Sequence, residues 1–288
     1  MSISSVSLKA STEFSCDTLL SRRNPDILAV AHRGLWTSAP ENSLLAIRVA
    51  MEAGVEIVEI DVQTTADGEL VIIHDGTLDR TTTGSGTVSK TSLETIRAER
   101  LRAAAGGREA ALTDERVPTL KEALEEARGR LLVNLDTKYD RDLDDVVKAV
   151  LDLGMQDHVI IKSKIEPATG NFPIAQAPWF GKVIFMPIFT VRTGMFSEDL
   201  KAIEVLSPKM IEISFSDLSD LQGAEDELER QDIRLWINTL DVAHSLDLND
   251  TAALKDGENV WGRLIDAGAG AIQTDEAAAF KAFVAHRG

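Results

Sequence analysis

The chain has 288 residues, 44% of them apolar, and its 47 acidic and 30 basic residues give a formal net charge of −17. This length fits one large domain, and the apolar fraction is sufficient for a sizeable core. The acidity argues against binding to nucleic acid or to anionic membrane surfaces, because basic patches supply the affinity for both. The single cysteine, Cys16, excludes an intrachain disulfide and a cysteine-based metal site.

Apolar segments are short throughout the chain. None approaches the roughly 18–20 residues that are needed to span a membrane. Residues 1–24 also lack a basic region followed by an apolar stretch, which is the pattern of a signal peptide. We therefore expect a cytoplasmic protein with no stable membrane insertion. The sequence leaves the oligomeric state open, and a homo-oligomer is compatible with it.

The chain divides into a leading segment, residues 1–26, and one folded domain, residues 27–288. A weak helical pattern in Phe14, Leu19 and Leu20 predicts a short leading helix, which Pro25 ends. The first strand is predicted over residues 27–32. A helix follows from about residue 43, because apolar side chains recur there at helical spacing, and Gly54 ends it.

Two strands, at residues 55–63 and 70–74, are joined by a tight turn. A connection this short cannot cross over the sheet, so we expect an antiparallel hairpin. That geometry would bring His74 back beside Glu59 and Asp61. Residues 76–118 are rich in turn residues and predict a small insertion after the hairpin, with a loose loop in its second half.

Strands and helices alternate in the rest of the chain. Six further strands are predicted, at residues 131–138, 158–163, 183–189, 209–215, 234–238 and 271–274. Without the hairpin strand the total is eight, which is the count of an α/β fold of the TIM (β/α)8 barrel type. A doubly wound sheet is the alternative, but no Gly-x-Gly-x-x-Gly follows a strand.

Charged residues end several of these apolar strands. Alternation places Glu59 and Asp61 on one face of their strand, where the two carboxylates repel each other unless a cation lies between them. An oxygen-ligated divalent metal ion is the usual solution. His32 and His74 would supply an acid and a base. Further charged strand residues converge on the same barrel mouth: Asp136, Lys138, Lys162 and Glu212.

Each of these residues has a plain structural alternative when it is taken alone. A strand-end histidine is more often a surface or hydrogen-bonded residue, and a Glu-x-Asp pair can be a salt-bridged face. Glu212 fits a salt bridge as well as a site role, and Trp236 is more typical of packing than of a substrate wall. The joint pattern favours a site, because independent surface charges would not all fall at the same ends of successive strands.

Several short motifs occur in one order along the chain. They are Ala31-His32-Arg33-Gly34, Ala39-Pro40-Glu41-Asn42-Ser43, Glu59-Ile60-Asp61-Val62, Thr65-Ala66-Asp67-Gly68, His74-Asp75, Leu78-Asp79-Arg80-Thr81-Thr82, Val117-Pro118-Thr119-Leu120 and Gly270-Ala271-Ile272-Gln273-Thr274-Asp275. In this order they resemble the glycerophosphodiester phosphodiesterase family, within the phospholipase-C-like phosphodiesterase barrels. The resemblance covers residues 27–280 and is most specific in the amino-terminal third of the chain.

The resemblance implies a metal-dependent hydrolase that cleaves small-molecule glycerophosphodiesters into sn-glycerol 3-phosphate and an alcohol. His32 and His74 match the family's acid/base pair. Glu59, Asp61 and Asp136 match the ligands of one divalent metal ion, Mg2+ or Ca2+. The candidates for substrate and phosphate binding are Arg33, Lys138 and Lys162, and those for further site roles are Glu41, Asn42, Glu212 and Trp236.

Three departures from the family pattern bear on the substrate. Asp136 replaces a longer Glu. Lys162 replaces a small residue or Phe, and we expect it to face the site and to contact a second anionic group. Trp236 precedes Asn238 by two residues instead of three. The sequence also offers no evident protein nucleophile, which predicts attack by the glycerol 2-hydroxyl and a cyclic 1,2-phosphate intermediate.

Two alternatives to this activity remain open. One is a sphingomyelinase-D-like or inositol-phospholipid-type phosphodiesterase on the same barrel, which an exposed cluster of Trp36, Trp179 and Phe180 would favour. The other is a non-catalytic phosphate-binding barrel, which has no need for both histidines.

Overall fold

The computed structural model describes residues 16–287. The strands in this part of the chain are β1 Leu28–Ala31, β2 Ile57–Thr64, β3 Leu70–Ile72, β4 Leu132–Thr137, β5 Val159–Lys164, β6 Ile184–Thr190, β7 Met210–Ser214, β8 Arg234–Leu240, β9 Ala243–His244 and β10 Ala269–Thr274. The α-helices are α1 Cys16–Leu20, α2 Leu44–Glu52, α3 Leu93–Ala98, α4 Leu120–Ala127, α5 Leu143–Asp152, α6 Phe196–Ile203, α7 Glu225–Gln231, α8 Asp250–Ala253, α9 Arg263–Asp266 and α10 Ala277–Arg287. Residues 1–15 of the predicted leading segment, with Phe14, lie outside the described range.

Eight parallel strands close into a barrel. Neighbouring strands follow the order β1–β2–β4–β5–β6–β7–β8–β10, and the ring closes because β1 pairs with β2 on one side and with β10 on the other. Helices separate most of these strands along the chain. The predicted TIM (β/α)8 barrel is therefore confirmed. The carboxyl ends of all eight strands open at one rim, which is where such barrels carry their sites.

The hairpin that follows the second barrel strand is present. β3 runs antiparallel to β2, with Ile72 opposite Val62, and it stays outside the ring. The turn between them is closed by Thr65, whose hydroxyl accepts from the Glu69 amide. The hairpin thus returns the chain to the rim, as its short connection predicts.

Residues 76–118 form a small unit beside this rim. Its own apolar core includes Leu78, Val88 and Ile96. The expected loop in its second half is present, because residues 103–115 form no helix or strand, but an isolated antiparallel bridge between Arg102 and Leu112 closes it. The sequence does not indicate this pairing, because small and charged residues flank the bridge and neither side shows an alternating apolar pattern.

Apolar side chains fill the amino-terminal end of the barrel. The inward-facing residues there are Leu28, Val30, Ile57, Leu132, Ile160, Met186, Met210, Trp236 and Ala271, and Leu20 of α1 packs against them. Helix α1 therefore closes this end of the barrel. The chain between α1 and β1 is fastened by Arg234, which is 2% exposed and donates to backbone carbonyls of Leu20, Ser21, Asn24, Asp26 and Gly270.

Two elements near the carboxyl terminus are not indicated by the sequence pattern. Strand β9 has two residues and pairs antiparallel with β8. Helix α10 carries apolar residues on all sides, so no amphipathic stripe marks it, yet Phe280 is fully buried against Trp261 with ring centroids 5.3 Å apart. None of the described helices combines the length and the apolarity needed to cross a bilayer.

Candidate active site

Polar side chains lie directly above the apolar end of the barrel. Glu59 and Asp61 follow Ile57 at alternate positions of β2, so all three point inward. The register of the sheet sets Glu59 beside Asn134 and Asp61 beside Asp136 of β4. Neighbouring parallel strands thereby place Asp61 and Asp136 at the same level of the barrel and Glu59 one inward-facing position below them.

These three carboxylates form an acidic cluster. Oxygens of Glu59, Asp61 and Asp136 lie within 4.8 Å of one another. Glu59 and Asp61 are buried, and this burial, together with the charge of Asp61, raises the pKa of Glu59 to about 7. An all-oxygen donor set of this kind suits a hard divalent cation such as Mg2+ or Ca2+. The acidic cluster therefore fits the predicted metal centre.

Two strained turns hold the acidic cluster in place. Asn42 donates to Asp61 Oδ2 at 2.8 Å and accepts from the Asp61 amide at 3.0 Å. The Arg33 amide donates to Glu59 Oε2 at 3.1 Å. Both Arg33 and Asn42 have left-handed backbones, with φ of 56° and 55°. Gly34 follows with φ of 77°, and a Cβ there would approach helix α2 to 2.6 Å, so only glycine fits.

The Arg33 guanidinium extends toward the same cluster. Its Nη1 lies 3.3 Å from Glu41 Oε1, and its Nε lies 3.5 Å from Asp61 Oδ2. The Nε group is buried and has no hydrogen-bond partner among the described residues. The contact between this Nε and Asp61 Oδ2 is therefore an ion pair and not a hydrogen bond.

His32 lies just beyond β1 and is oriented by Asp275. Its Nδ1 is 2.7 Å from Asp275 Oδ1, which also accepts from Trp36 Nε1 at 2.7 Å. Burial alone would lower the pKa of His32, but the hydrogen bond to Asp275 and the charges of Glu59 and Asp275 outweigh it, so this pKa is raised above its ordinary value. The ring is thus favoured in its protonated form.

His74 has an equivalent carboxylate partner, Asp75. The His74 Nδ1 is 2.7 Å from Asp75 Oδ1. Arg80 donates two hydrogen bonds to Asp75, at 2.7 and 2.8 Å, and two to Glu41, both at 2.7 Å. The hydrogen bonds from Arg80 lower the pKa of Asp75, which therefore stays ionised beside the histidine. The insertion that carries Arg80 is in this way tied to the site.

Lys162 lies inside the barrel, deep at the acidic cluster. Its side chain is 6% exposed, and its Nζ is 3.9 Å from Glu59 Oε1, 3.6 Å from Asp136 Oδ2 and 3.7 Å from Glu212 Oε2. Burial alone would lower the pKa of Lys162, but these carboxylates outweigh it and raise this pKa, so the amine remains charged. Lys138, by contrast, is exposed at the rim.

Trp236 lies below the site and has no exposed surface. Its indole Nε1 donates to Asn238 Oδ1 at 2.9 Å, and Asn238 in turn donates to Glu212 Oε1 at 2.8 Å. A side chain without any exposed surface cannot form a wall for substrate. Trp236 is therefore a packing residue, and it reaches the site only through Asn238 and Glu212.

A cleft of about 470 Å3 opens beside the acidic cluster. It is lined in part by Asp136, Lys138, Lys162 and Glu212. A larger cavity of about 620 Å3 lies on the outer side of β5 and shares Ser163 with the cleft, but it contains neither histidine and no member of the acidic cluster. Neither histidine lines either cavity, but the smaller cleft borders the acidic cluster through Asp136 and Lys162, whereas the larger one does not.

Three residues with evident roles at the site have no role assigned from the sequence. Asp75 and Asp275 orient the two histidines, and Arg80 orients Asp75. All three belong to the ordered sequence motifs. Asp75 directly follows His74, Asp275 follows the last strand, and Arg80 lies at the start of the insertion. A carboxylate adjacent to a strand-end histidine is the signal that could have identified them.

A family model described as the glycerophosphoryl diester phosphodiesterase family matches residues 32–169, and one described as a domain of unknown function matches residues 185–284. The glycerophosphodiester phosphodiesterase of Caldanaerobacter subterraneus is 39% identical over 142 residues, which is 47% of this chain and 57% of that relative. The chain spans about half the length of the curated relatives that it matches.

Solved structures match over most of the chain. A glycerophosphoryl diester phosphodiesterase from Parabacteroides distasonis has a TM-score of 0.75 at 23% identity and covers 95% of this chain and 92% of its own. An Oleispira antarctica phosphodiesterase in complex with the product sn-glycerol-3-phosphate has a TM-score of 0.64 at 24% identity and covers 90% and 96%. The segment that carries both histidines and the acidic cluster, residues 32–169, therefore belongs to the glycerophosphoryl diester phosphodiesterase family, and the fold of the solved structures extends over almost the whole chain.

Proposed function

We propose that the protein is a metal-dependent phosphodiester hydrolase that cleaves glycerophosphodiesters to sn-glycerol 3-phosphate and an alcohol. The observation that carries the proposal is the acidic cluster flanked by two histidines, each with a carboxylate on its Nδ1. Binding of a phosphate alone does not need two oriented proton carriers. Proton transfer to and from two oxygens of one phosphodiester does.

Glu59, Asp61 and Asp136 would hold the metal ion. When bound, a divalent ion supplies Lewis-acid stabilisation of negative charge on the phosphoryl oxygens. The Arg33 guanidinium, whose Nε lies 3.5 Å from Asp61 Oδ2, adds positive charge beside the same cluster from the protein side. Its fixed position means that no reorganisation is required when charge develops.

The two histidines take opposite roles in this proposal. His32 is the general acid that protonates the leaving alcohol, because Asp275 and Glu59 favour its charged form. His74 is the general base that takes the proton of the nucleophile, and Asp75 keeps its ring oriented. A matched pair of this kind needs different protonation states at one pH.

A panel of glycerophosphodiesters tests the proposed activity. Metal-free protein is supplied with Mg2+, Ca2+ or Mn2+, and the release of sn-glycerol 3-phosphate from glycerophosphocholine, glycerophosphoethanolamine and glycerophosphoinositol is followed. We expect turnover with at least one metal and one substrate. Tight binding of these compounds without turnover would instead identify a non-catalytic phosphate-binding barrel.

A lipid-directed phosphodiesterase is the second candidate, although the aromatic cluster expected for it is not exposed. Trp36 and Trp179 donate their indole N–H groups to Asp275 and Asp144, and Phe180 packs on the core. Other apolar side chains are exposed in the loops that follow barrel strands, and these favour the candidate: Tyr139 at 37%, Met195 at 39%, Val242 at 82% and Leu246 at 41%.

Lysophospholipids and vesicles distinguish the two candidates. A lipid-directed enzyme would turn over a lysophospholipid faster than glycerophosphocholine and would sediment with neutral vesicles. Serine at Val242 and Leu246 would remove both effects. A preference for the water-soluble diester, with no sedimentation, supports the first proposal.

A further inference from the structure

The ammonium group of Lys162 occupies a cage of three carboxylates. Two of them, Glu59 and Asp136, belong to the acidic cluster, and the third, Glu212, stands on the far side of Lys162 from it in strand order. All three distances, 3.6 to 3.9 Å, are those of an ion pair and not of a direct hydrogen bond. The ammonium is thus centred among the carboxylates instead of bound to one.

One carboxylate oxygen of Glu212, Oε2, has the Lys162 ammonium as its cationic neighbour among the described residues. The Glu212 Oε1 accepts from Asn238 at 2.8 Å, whereas its Oε2 is buried and has no hydrogen-bond partner among the described residues. The residue is 8% exposed. A buried carboxylate oxygen in this position needs a cation. Removal of the Lys162 charge would therefore leave a buried anion that faces the proposed metal site.

The arrangement has the form of a two-metal site with one ion replaced by a side chain. In two-metal hydrolases the ions lie about 3.5–4 Å apart and share carboxylates between them. Here Glu59 and Asp136 face both the proposed metal position and the Lys162 ammonium. Glu212 then corresponds to a ligand that would serve the second ion alone.

We propose that Lys162 is a built-in substitute for a second metal ion, which limits this enzyme to one divalent ion per chain. The inference rests on the proposed metal site at Glu59, Asp61 and Asp136. Lys162 is accordingly a positioning residue. The three carboxylates neutralise its charge. In turn, Lys162 holds the carboxylates of Glu59 and Asp136 in the positions from which they would bind the single ion.

Metal stoichiometry tests this proposal without any activity measurement. Mn2+ binding is measured by titration calorimetry and by electron paramagnetic resonance on metal-free protein. The wild type should bind one ion, and Lys162→Ala should bind two, with the exchange-coupled spectrum of a Mn2+ pair. Lys164→Ala is the matched control, because Lys164 lies two positions further along β5 and is exposed; it should bind one ion.

A second substitution identifies the added ligand. Glu212→Gln in the Lys162→Ala background should return the stoichiometry to one, because the second ion loses its own carboxylate. Glu212→Gln alone should weaken binding of the single ion by about tenfold, or ~1.4 kcal/mol, since Lys162 is then shared only with Glu59 and Asp136. This variant keeps the test decisive if Lys162→Ala does not fold.

The outcomes separate this inference from the proposed function. A wild type that binds no divalent ion overturns the proposed metal site, and the inference with it. A wild type with one ion and a folded Lys162→Ala variant that also binds one overturns the inference alone. An unchanged Mn2+ affinity in Glu212→Gln has the same meaning.

Discussion

At the scale of single residues, the two histidines are distinguished by what surrounds them. His32 is buried beside Glu59 and Asp275, whereas His74 is partly exposed next to an aspartate that Arg80 already compensates. Burial lowers the pKa of His32, but the hydrogen bond to Asp275 and the charges of Glu59 and Asp275 outweigh it and raise this pKa. The assignment of acid and base depends on this difference.

Replacement of either histidine should abolish most of the activity. We expect His32→Ala and His74→Ala each to reduce turnover on the order of 10²-fold or more, which is the usual contribution of a general acid or base. His286→Ala, at an exposed position of α10, is the control and should retain wild-type turnover. A folded His32 or His74 variant with near-normal turnover would remove that residue from the mechanism.

The carboxylate of Asp275 should set the pKa of His32. Asp275→Asn removes the charge but keeps an acceptor for Trp36, so the pKa of His32 should fall, as measured by NMR titration of the ring. If His32 is the general acid, as we propose, the high-pH limb of the kcat/KM profile should move to lower pH. Asp247→Asn, at an exposed position, should leave both unchanged, and an unmoved His32 pKa in Asp275→Asn would refute the assignment.

The same contact has a consequence for folding stability. The pKa of His32 is raised in the folded chain above its ordinary value of 6.5. Its interaction with Asp275 therefore stabilises the fold fully at pH below that value and is lost as the pH rises through the folded pKa. Asp275→Asn should reduce this loss of stability with rising pH, which urea denaturation at a series of pH values measures.

Sequence patterns identify the residues of the acidic cluster but not the partners of the histidines. Glu59, Asp61 and Asp136 are recognisable because a charge at an inward position of an apolar strand is costly unless it is paired or ligated. Asp275 follows a strand and Arg80 lies in a turn-rich segment, and charged residues are common at both kinds of position. Only the folded chain shows that Asp275 comes within reach of His32, since 243 positions separate the two in sequence.

At the scale of elements, strand and hairpin predictions succeed where alternation or an apolar run is sustained. The eight barrel strands and β3 each follow such a pattern. Helix α10 lacks an apolar stripe, and the insertion is stabilised by a small core and by isolated bridges. Their structure comes from tertiary contacts, which no local pattern records.

The segment between α1 and β1 depends on one arginine. Arg234→Met removes the donors to its backbone carbonyls, and we expect a loss of about 2–4 kcal/mol in the free energy of unfolding, because buried acceptors are left unpaired. Urea denaturation followed by circular dichroism measures the effect. Arg108→Met, at an exposed position of the insertion, should change stability by less than ~0.5 kcal/mol. A similarly small effect in Arg234→Met would show that the segment is held by other contacts.

At the scale of the whole molecule, the barrel brings together residues from strands that are far apart in the chain. Because parallel strands end at one rim, the fold class alone predicts that His32, the acidic cluster and Lys162 converge. It does not predict that Lys162 is enclosed by carboxylates, since that depends on the radius of the barrel and on side-chain length. Contact between Lys162 and a substrate anion remains a prediction, and its low exposure leaves little surface for such contact.

The nucleophile is expected to come from the substrate and not from the protein. The 2-hydroxyl of the glycerol is already held near the phosphorus. Its high effective molarity makes capture of a separate water molecule unnecessary. A 2-deoxy glycerophosphodiester should therefore bind but turn over very slowly, and phosphorus NMR of the normal substrate should show a transient cyclic phosphate. Cleavage of the 2-deoxy analogue at a comparable rate would establish direct attack by water.

Metal dependence of hydrolysis is the sharpest test of the proposed mechanism. Release of sn-glycerol 3-phosphate from a glycerophosphodiester is followed in excess chelator and after a divalent ion is restored, for the wild type, for Asp61→Ala and for the exposed control Asp247→Ala. We expect no turnover in chelator, recovery with metal for the wild type and the control, and neither metal binding nor turnover for Asp61→Ala. Full turnover in excess chelator, with no metal found by elemental analysis, would contradict the proposed mechanism.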